Sequence, residues 1–132
     1  MSLTDEQRSV MVSLEYERAL SIFSQIEPLK QLGFWDNVAN RLYYSLFHAV
    51  TALLIHDGIS AGTHKGAAQK FGQHYVVTGR FSLDEGRLYS QLQTLREKSD
   101  YNCAFQVGSL NVEPMIIPTE ALIKHIGNYL GL

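Results

Sequence analysis

The stretch FWDNVANRLYYSLFHAVTALLIH, residues 34–56, decides the fold of this chain. Its apolar side chains recur every three to four residues, which is the spacing that places them on one face of an α-helix. They are Trp35, Val38, Ala39, Leu42, Leu46, Ala49, Val50 and Leu53. The stripe is broad and Asp57-Gly58 follows it as a stop signal, so the sequence predicts a long helix that packs against several others.

Outward from this second helix, the same periodicity predicts four more helices and no strand. The first helix begins after Thr4 and is disrupted by Pro28 and Gly33. The third runs from His64 to near Gly79, and the fourth begins after Ser82 and reaches about Tyr101. The fifth begins at Pro118. Residues 102–115 have no clear period and are interpreted as a loop, in which some short helix could form. We predict one all-α domain over residues 1–132, an up-and-down antiparallel bundle of four long helices plus a shorter C-terminal fifth helix.

The composition, 132 residues with 45% hydrophobic and 18% charged side chains, fits one globular domain. The longest nearly continuous apolar run, residues 49–55, is far shorter than the roughly 20 residues that cross a bilayer. The N-terminal residues lack the apolar core of a signal peptide, and Cys103 is the single cysteine. We therefore expect a cytoplasmic protein.

The net charge of −2 argues against a protein held on nucleic acid by overall positive charge. The charges are unevenly distributed, however. Residues 1–36 carry three basic and six acidic side chains, whereas residues 64–98 carry six basic and three acidic ones. The middle of the chain could form a local anion-binding face, and a mixed solvated surface is the alternative.

Five histidines in a helical bundle suggest a metal, but they lack the spacing of ligands. The residues three positions before His48, His56, His64, His74 and His125 are Ser45, Leu53, Ala61, Phe71 and Leu122, where a di-iron site requires Glu. The HExxH zinc motif is absent, and the glycines near residue 62 follow a helix instead of the strand that a phosphate loop requires. We predict no metal and no cofactor.

A polar stripe lies beside the apolar one on the second helix. Arg41 and His48 are seven residues apart, so they lie on nearly one line of the helix, with Tyr44 between them. Such a stripe provides either structural hydrogen bonds or a functional site.

Two further polar groups open the third helix and end the fourth. His64 and Lys65 stand beside free backbone N–H groups that could meet an anion, although Gly66 could equally serve a close helix contact. Arg96 and Asp100 are four residues apart and can pair on one helix face, where a held guanidinium would bind phosphate.

Several linked motifs resemble one known family. The second helix contains NRLYYSLFHA at 40–49 and ALL at 52–54. They are followed by HKG at 64–66, FG at 71–72, YV at 75–76 and LREKSDY at 95–101. Residues 37–101 thus resemble the HEPN superfamily, and in particular the small stand-alone bacterial and archaeal HEPN proteins.

This resemblance implies a helical bundle that pairs as a homodimer, with polar residues of both subunits facing a shared cleft. It also implies a metal-independent RNase, often a toxin, encoded beside a minimal nucleotidyltransferase antitoxin. The active motif of the family is an Arg followed, after four to six residues, by a His on a late helix. In some members the partner attaches AMP to a tyrosine close behind this motif, a position that Tyr101 occupies here.

The chain departs from the motif, because Arg96 is followed by Glu, Lys, Ser, Asp, Tyr, Asn and Cys and by no histidine. Arg41 and His48 have the formal spacing but lie on the second helix. A base for RNA cleavage would have to come from Asp100, His48 or His64. We expect a cleft lined by Arg41, His48, His64 and Arg96.

The functional prediction is a HEPN protein of toxin–antitoxin type with a degenerate RNase site. It would bind nucleotide, RNA or a nucleotidyltransferase partner, with Arg41, Tyr44, His64 and Lys65 as binding residues. The alternative is an active metal-independent RNase that uses Arg96 with a substitute base.

Overall fold

The computed structural model describes residues 3–101 and 103–132; Met1, Ser2 and Asn102, the first residue of the predicted loop, lie outside the described residues. The helices are α1 (Asp5–Phe23), α2 (Ile26–Gln31), α3 (Trp35–His56), α4 (His64–Phe71), α5 (Leu83–Tyr101), α6 (Ser109–Val112) and α7 (Ile116–Leu130). A π-helical turn, Gly72–Val76, continues α4, and a 3₁₀ turn, Glu113–Met115, joins α6 to α7. The described part of the chain contains no strand, so the predicted all-α bundle is confirmed.

Helix α3 forms the centre of the bundle. It packs most extensively against α1 and also contacts α5 and α7. Leu42, Leu46 and Leu53 of the predicted stripe have no exposed surface, and burial of each such side chain stabilises the fold by about 1.5–3 kcal/mol. Trp35, at the N-terminal end of the stripe, is only partly buried.

Helix α1 begins as predicted and ends earlier. Thr4 and Gln7 form a capping box at its N-terminus, with both hydrogen bonds present. A single helical period from Val12 to Ile26 would place Leu20 in the core, but Leu20 is 48% exposed and Ile22 is buried instead. The period is broken because α1 ends at Phe23 and Ile26 belongs to α2. Pro28, which was predicted to disrupt the first helix, is the third residue of α2. Proline is tolerated there because a backbone N–H in the first turn would have no intrahelical acceptor.

A close contact joins α1 to α7. The hydroxyl of Tyr16 is buried and donates to the carbonyl of Ile123 at 2.9 Å. A Cβ atom at Gly127 would collide with that hydroxyl, so glycine allows the two helices to approach each other.

The predicted third helix, residues 64–79, has two geometries: α4 runs to Phe71 and the π turn follows. The turn places Tyr75 so that its hydroxyl donates to the carbonyl of Leu53 at 3.2 Å and to the carboxylate of Asp57 at 2.6 Å. The hydroxyl of Tyr129, on α7, donates to the same carboxylate oxygen at 2.9 Å. Asp57 therefore holds three elements together at one end of the bundle.

The stretch interpreted as loop with some short helix contains α6 and the 3₁₀ turn, and the last helix, α7, begins at Ile116, earlier than predicted. Pro118 is therefore its third residue rather than its first. Proline is tolerated there because the N–H groups of the first turn have no intrahelical acceptor. No helix among the described residues is long and apolar enough to cross a membrane.

Candidate functional site

Arg96 is a nearly buried cation on the inner face of α5, with 8% of its surface exposed. Because α5 packs against α3, the guanidinium carbon lies over the ring of Tyr43, 4.8 Å from its centroid, and 5.7 Å from that of Tyr44. Its Nε atom is buried and has no hydrogen-bond acceptor among the described residues. The carboxylate of Asp100 is 3.7 Å from Nη1, too far for a hydrogen bond. The cation is thus held by rings and only weakly neutralised.

His64, the first residue of α4, meets this cation from a second element. Its Nδ1 atom is 2.8 Å from the hydroxyl oxygen of Tyr43, and its ring stacks on Phe47 with centroids 4.2 Å apart. Tyr44 meets the same ring edge-on at 5.7 Å. The site therefore consists of one cation and one imidazole on a cluster of aromatic rings.

The protonation states in this cluster follow from burial and charge. Burial lowers the pKa of His64, and the neighbouring Arg96 and His48 side chains lower it further. Burial also raises the pKa of Tyr43 to about 12, against an opposing effect of Arg96. At neutral pH the site thus contains a neutral imidazole and a protonated phenol beside a permanent cation.

Arg41 and His48 lie at the two edges of this cluster. The Arg41 guanidinium donates to the side-chain oxygen of Asn40 and lies 5.8 Å from the centroid of Tyr44. The Nδ1 atom of His48 is 2.6 Å from the carboxylate of Glu15 on α1. Both residues already have polar partners. The polar stripe on α3 therefore provides structural hydrogen bonds, and it also places two side chains next to the cluster.

The remaining sequence-predicted residues lie further out. Lys65 is exposed and makes no hydrogen bond or ion pair with the described residues. Tyr101, the last residue of α5, is 77% exposed and close enough to Arg96 for their charges to interact. Gly66 avoids a collision with the carbonyl oxygen of Ala61, so its role is a close contact with the preceding loop rather than with a helix.

The structure therefore brings Arg96, Tyr44 and His64 together, with Arg41, His48 and Asp100 around them. Sequence reasoning missed Tyr43 and Phe47, which form the floor of the cluster. They are four residues apart on α3, so the spacing of two aromatic rings on one face was a usable signal.

Two grooves lie near the cluster. One, of about 410 Å³, runs between α3 and the loop before α4, and His64 and Phe47 line it. The other, of about 600 Å³, lies between α5 and residues 105–115. Arg96 lines neither groove. Within residues 3–101 and 103–132, no group of three His, Cys, Asp or Glu side chains is arranged to hold a metal ion.

Comparison with known proteins gives a consistent set of relatives. A family model described as the HEPN domain matches residues 12–129. A UPF0332 protein of Thermotoga maritima is 31% identical over 90 residues, which cover 68% of each chain. The Methanocaldococcus jannaschii protein named "Putative toxin MJ0142" is 23% identical over 114 residues, covering 86% of this chain and 78% of that protein. A second protein of that organism, "Putative toxin MJ0605", is 36% identical over 66 residues, covering 50% of this chain and 48% of that protein. The family match includes all the residues of the cluster around Arg96.

Proposed function

Because the chain belongs to the HEPN family and two of its relatives carry the name of toxins, we propose that it is a toxin-type HEPN protein that binds an RNA phosphate at Arg96. The observation that carries this proposal is the nearly buried guanidinium whose Nε atom has no acceptor among the described residues. A buried charge without full hydrogen bonding is costly, and a phosphate bound at the exposed part of the guanidinium would offset that cost with charge-assisted hydrogen bonds.

The surroundings of Arg96 support an anionic ligand. The rings of Tyr43 and Tyr44 hold the guanidinium plane in place, so little side-chain entropy remains to be lost on binding. His64 adds a second polar group: when the Tyr43 hydroxyl donates to Nδ1, the proton of the neutral imidazole is on Nε2, which then acts as a donor. Among the described residues, Nε2 makes no hydrogen bond, so it is available to a phosphate oxygen.

A second candidate function is metal-independent RNA cleavage at the same site. It is favoured by the lowered pKa of His64, which leaves the imidazole neutral and able to act as a base at neutral pH. This reaction requires the other tautomer, in which Nδ1–H donates to the Tyr43 hydroxyl oxygen and Nε2 is unprotonated. Nε2 of His64 then takes the proton of a ribose 2′-hydroxyl, whose oxygen attacks the adjacent phosphorus, and the 5′-oxygen leaves with a proton from water. Arg96 would stabilise the charge on the phosphate.

Tyr101 is the candidate residue to which the expected nucleotidyltransferase partner would attach AMP. This side chain is 77% exposed and lies five residues after Arg96 on the same helix. Transfer of AMP from ATP to the phenol oxygen, with pyrophosphate leaving, would place a phosphate beside the proposed RNA site. The modification would thereby compete with RNA for the same cation.

The expected homodimer has a candidate surface on α1. Exposed apolar side chains there include Val10, Met11 and Leu14, and Leu3 lies just before the helix. Burial of such a patch against a second copy would remove it from water.

The test is the affinity of a fluorescent single-stranded RNA, followed by anisotropy in EDTA. We expect Arg96→Met to weaken binding by about tenfold or more, since hydrogen bonds to charged groups contribute roughly 1.5–3 kcal/mol. The matched control is Arg87→Met, on the same helix, where the native arginine is exposed and paired with Asp84. Equal losses in both variants, or none in either, would overturn the proposal.

The same RNA separates the two candidate functions. Cleavage by the wild type in EDTA that is lost in His64→Gln would establish the RNase function. Intact RNA together with Arg96-dependent binding would establish binding without turnover.

A further inference from the structure

We infer that the groove between α3 and the loop at residues 59–63 binds a nucleobase of the RNA whose phosphate lies at Arg96. This inference rests on the proposed function and extends it to the recognition of single-stranded RNA through a base. The groove holds about 410 Å³, within the range of about 300–1,000 Å³ that is typical of small-molecule sites.

Continuity with the phosphate site identifies the occupant. His64 lines the groove and also contacts Tyr43, over which the Arg96 guanidinium lies. A ligand that reaches both sites must therefore join an anionic group to a group that fits the groove. A nucleotide has this composition, with a phosphate and a flat base on one sugar.

The chemistry of the groove walls matches a base. Phe47 and His64 supply a pair of stacked rings, and bases stack on such rings regardless of their sequence. Ile55 and Ile59 add apolar surface on the side of α3 and of the loop. Together they form a mainly apolar recess with an aromatic wall, which is what an unstacked base requires.

Polar groups for the edge of the base come from the loop. The backbone N–H groups of Ser60, Ala61 and Gly62 donate no hydrogen bond within the described part of the chain. The positive φ of Gly62, +76°, makes the loop turn above the groove. The hydroxyl of Thr63 accepts from the N–H of Gly66 and retains its own proton for donation. Donors on one wall and rings on the other would hold a base by its edge and its face.

The experiment compares two ligands of equal length: a short uridine oligoribonucleotide and an abasic ribose-phosphate chain with the same label. Anisotropy gives both affinities, and their ratio measures what the base contributes. The wild type should bind the uridine chain about tenfold more tightly than the abasic one, because stacking of one base accounts for that factor.

Two variants test the groove independently. Phe47→Leu removes the ring while keeping an apolar side chain, and Thr51→Met extends a side chain into the groove. Each should reduce the affinity ratio to less than about threefold. The matched control, Thr94→Met, makes the same change in the groove beside α5 and should leave the ratio at its wild-type value.

The outcomes distinguish this inference from the proposed function. If the wild type binds both ligands equally and both affinities depend on Arg96, the base site is refuted and the phosphate site stands. If the uridine preference persists in both Phe47→Leu and Thr51→Met, the base lies elsewhere and the inference is again refuted. If neither ligand shows binding that depends on Arg96, both the inference and the proposed function fail.

Discussion

Replacement of Arg96 by Met should weaken RNA binding by about tenfold or more and leave the stability of the fold close to that of the wild type. In the wild type, cation–π contacts with Tyr43 and Tyr44 contribute about 0.5–2 kcal/mol. The contact with Asp100, at 3.7 Å, contributes at most about 1 kcal/mol. The buried Nε atom without an acceptor costs about 1–3 kcal/mol, which offsets these gains. Met keeps the packing of the side chain on the rings and removes that cost.

Because the gains and the cost are of similar size, we expect a free energy of unfolding within about 2 kcal/mol of the wild-type value. Urea unfolding followed by circular dichroism measures this difference. Leu92→Ala, on the same helix and fully buried in the wild type, should lose about 2–5 kcal/mol and shows that the assay detects damage to α5. A loss of more than about 2 kcal/mol in Arg96→Met would mean that the guanidinium is a structural group, and the argument for a ligand would fail.

Three further outcomes are expected. Gly127→Ala should lower the free energy of unfolding by about 1–3 kcal/mol through its collision with Tyr16, and Tyr16→Phe should recover part of that loss in the double variant; an unchanged urea midpoint in Gly127→Ala would contradict this. Burial first, and then the neighbouring Arg96 and His48 side chains, hold the pKa of His64 below its unfolded value of about 6.5, so the stability linked to its neutral form is present above that pH and is lost as the pH falls from there to the lower folded-state pKa. Urea titrations at about pH 7.5 and 5.5 should thus show that the free energy of unfolding falls more between these two pH values for the wild type than for His64→Gln. Equal decreases in the two proteins would refute the linkage. Light scattering at micromolar concentration should give about twice the chain mass of 14.9 kDa for the wild type and the single mass for Val10→Asp, whereas a monomeric wild type would exclude the homodimer.

The parts of the fold that depend on local spacing could be predicted from the sequence. Leu42, Leu46 and Leu53 are buried because residues three, four and seven apart share a helix face, whatever surrounds them. The capping box of Thr4 with Gln7 is likewise a contact within one turn. Such interactions need no knowledge of the tertiary structure.

The parts that depend on packing between distant segments could not be predicted. Arg96 and Tyr43 are stacked because α5 crosses α3 in one register, and neither helix encodes that register alone. The π turn after Phe71 is favoured by bonds that Tyr75 makes to Asp57 and Leu53, both on another helix or its end. His64 was found through its position at a helix start, whereas its Tyr43 contact appears only in three dimensions.

The central position of α3 has a thermodynamic consequence for binding. Tyr43, Tyr44 and Phe47 lie on the central helix of the bundle; Tyr43 is fully buried, and Tyr44 and Phe47 pack partly buried against the core. His64, in contrast, follows the loop between Asp57 and Thr63. A ligand would therefore meet rings whose backbone the core already holds in place, and the ordering entropy of binding would fall mainly on the loop.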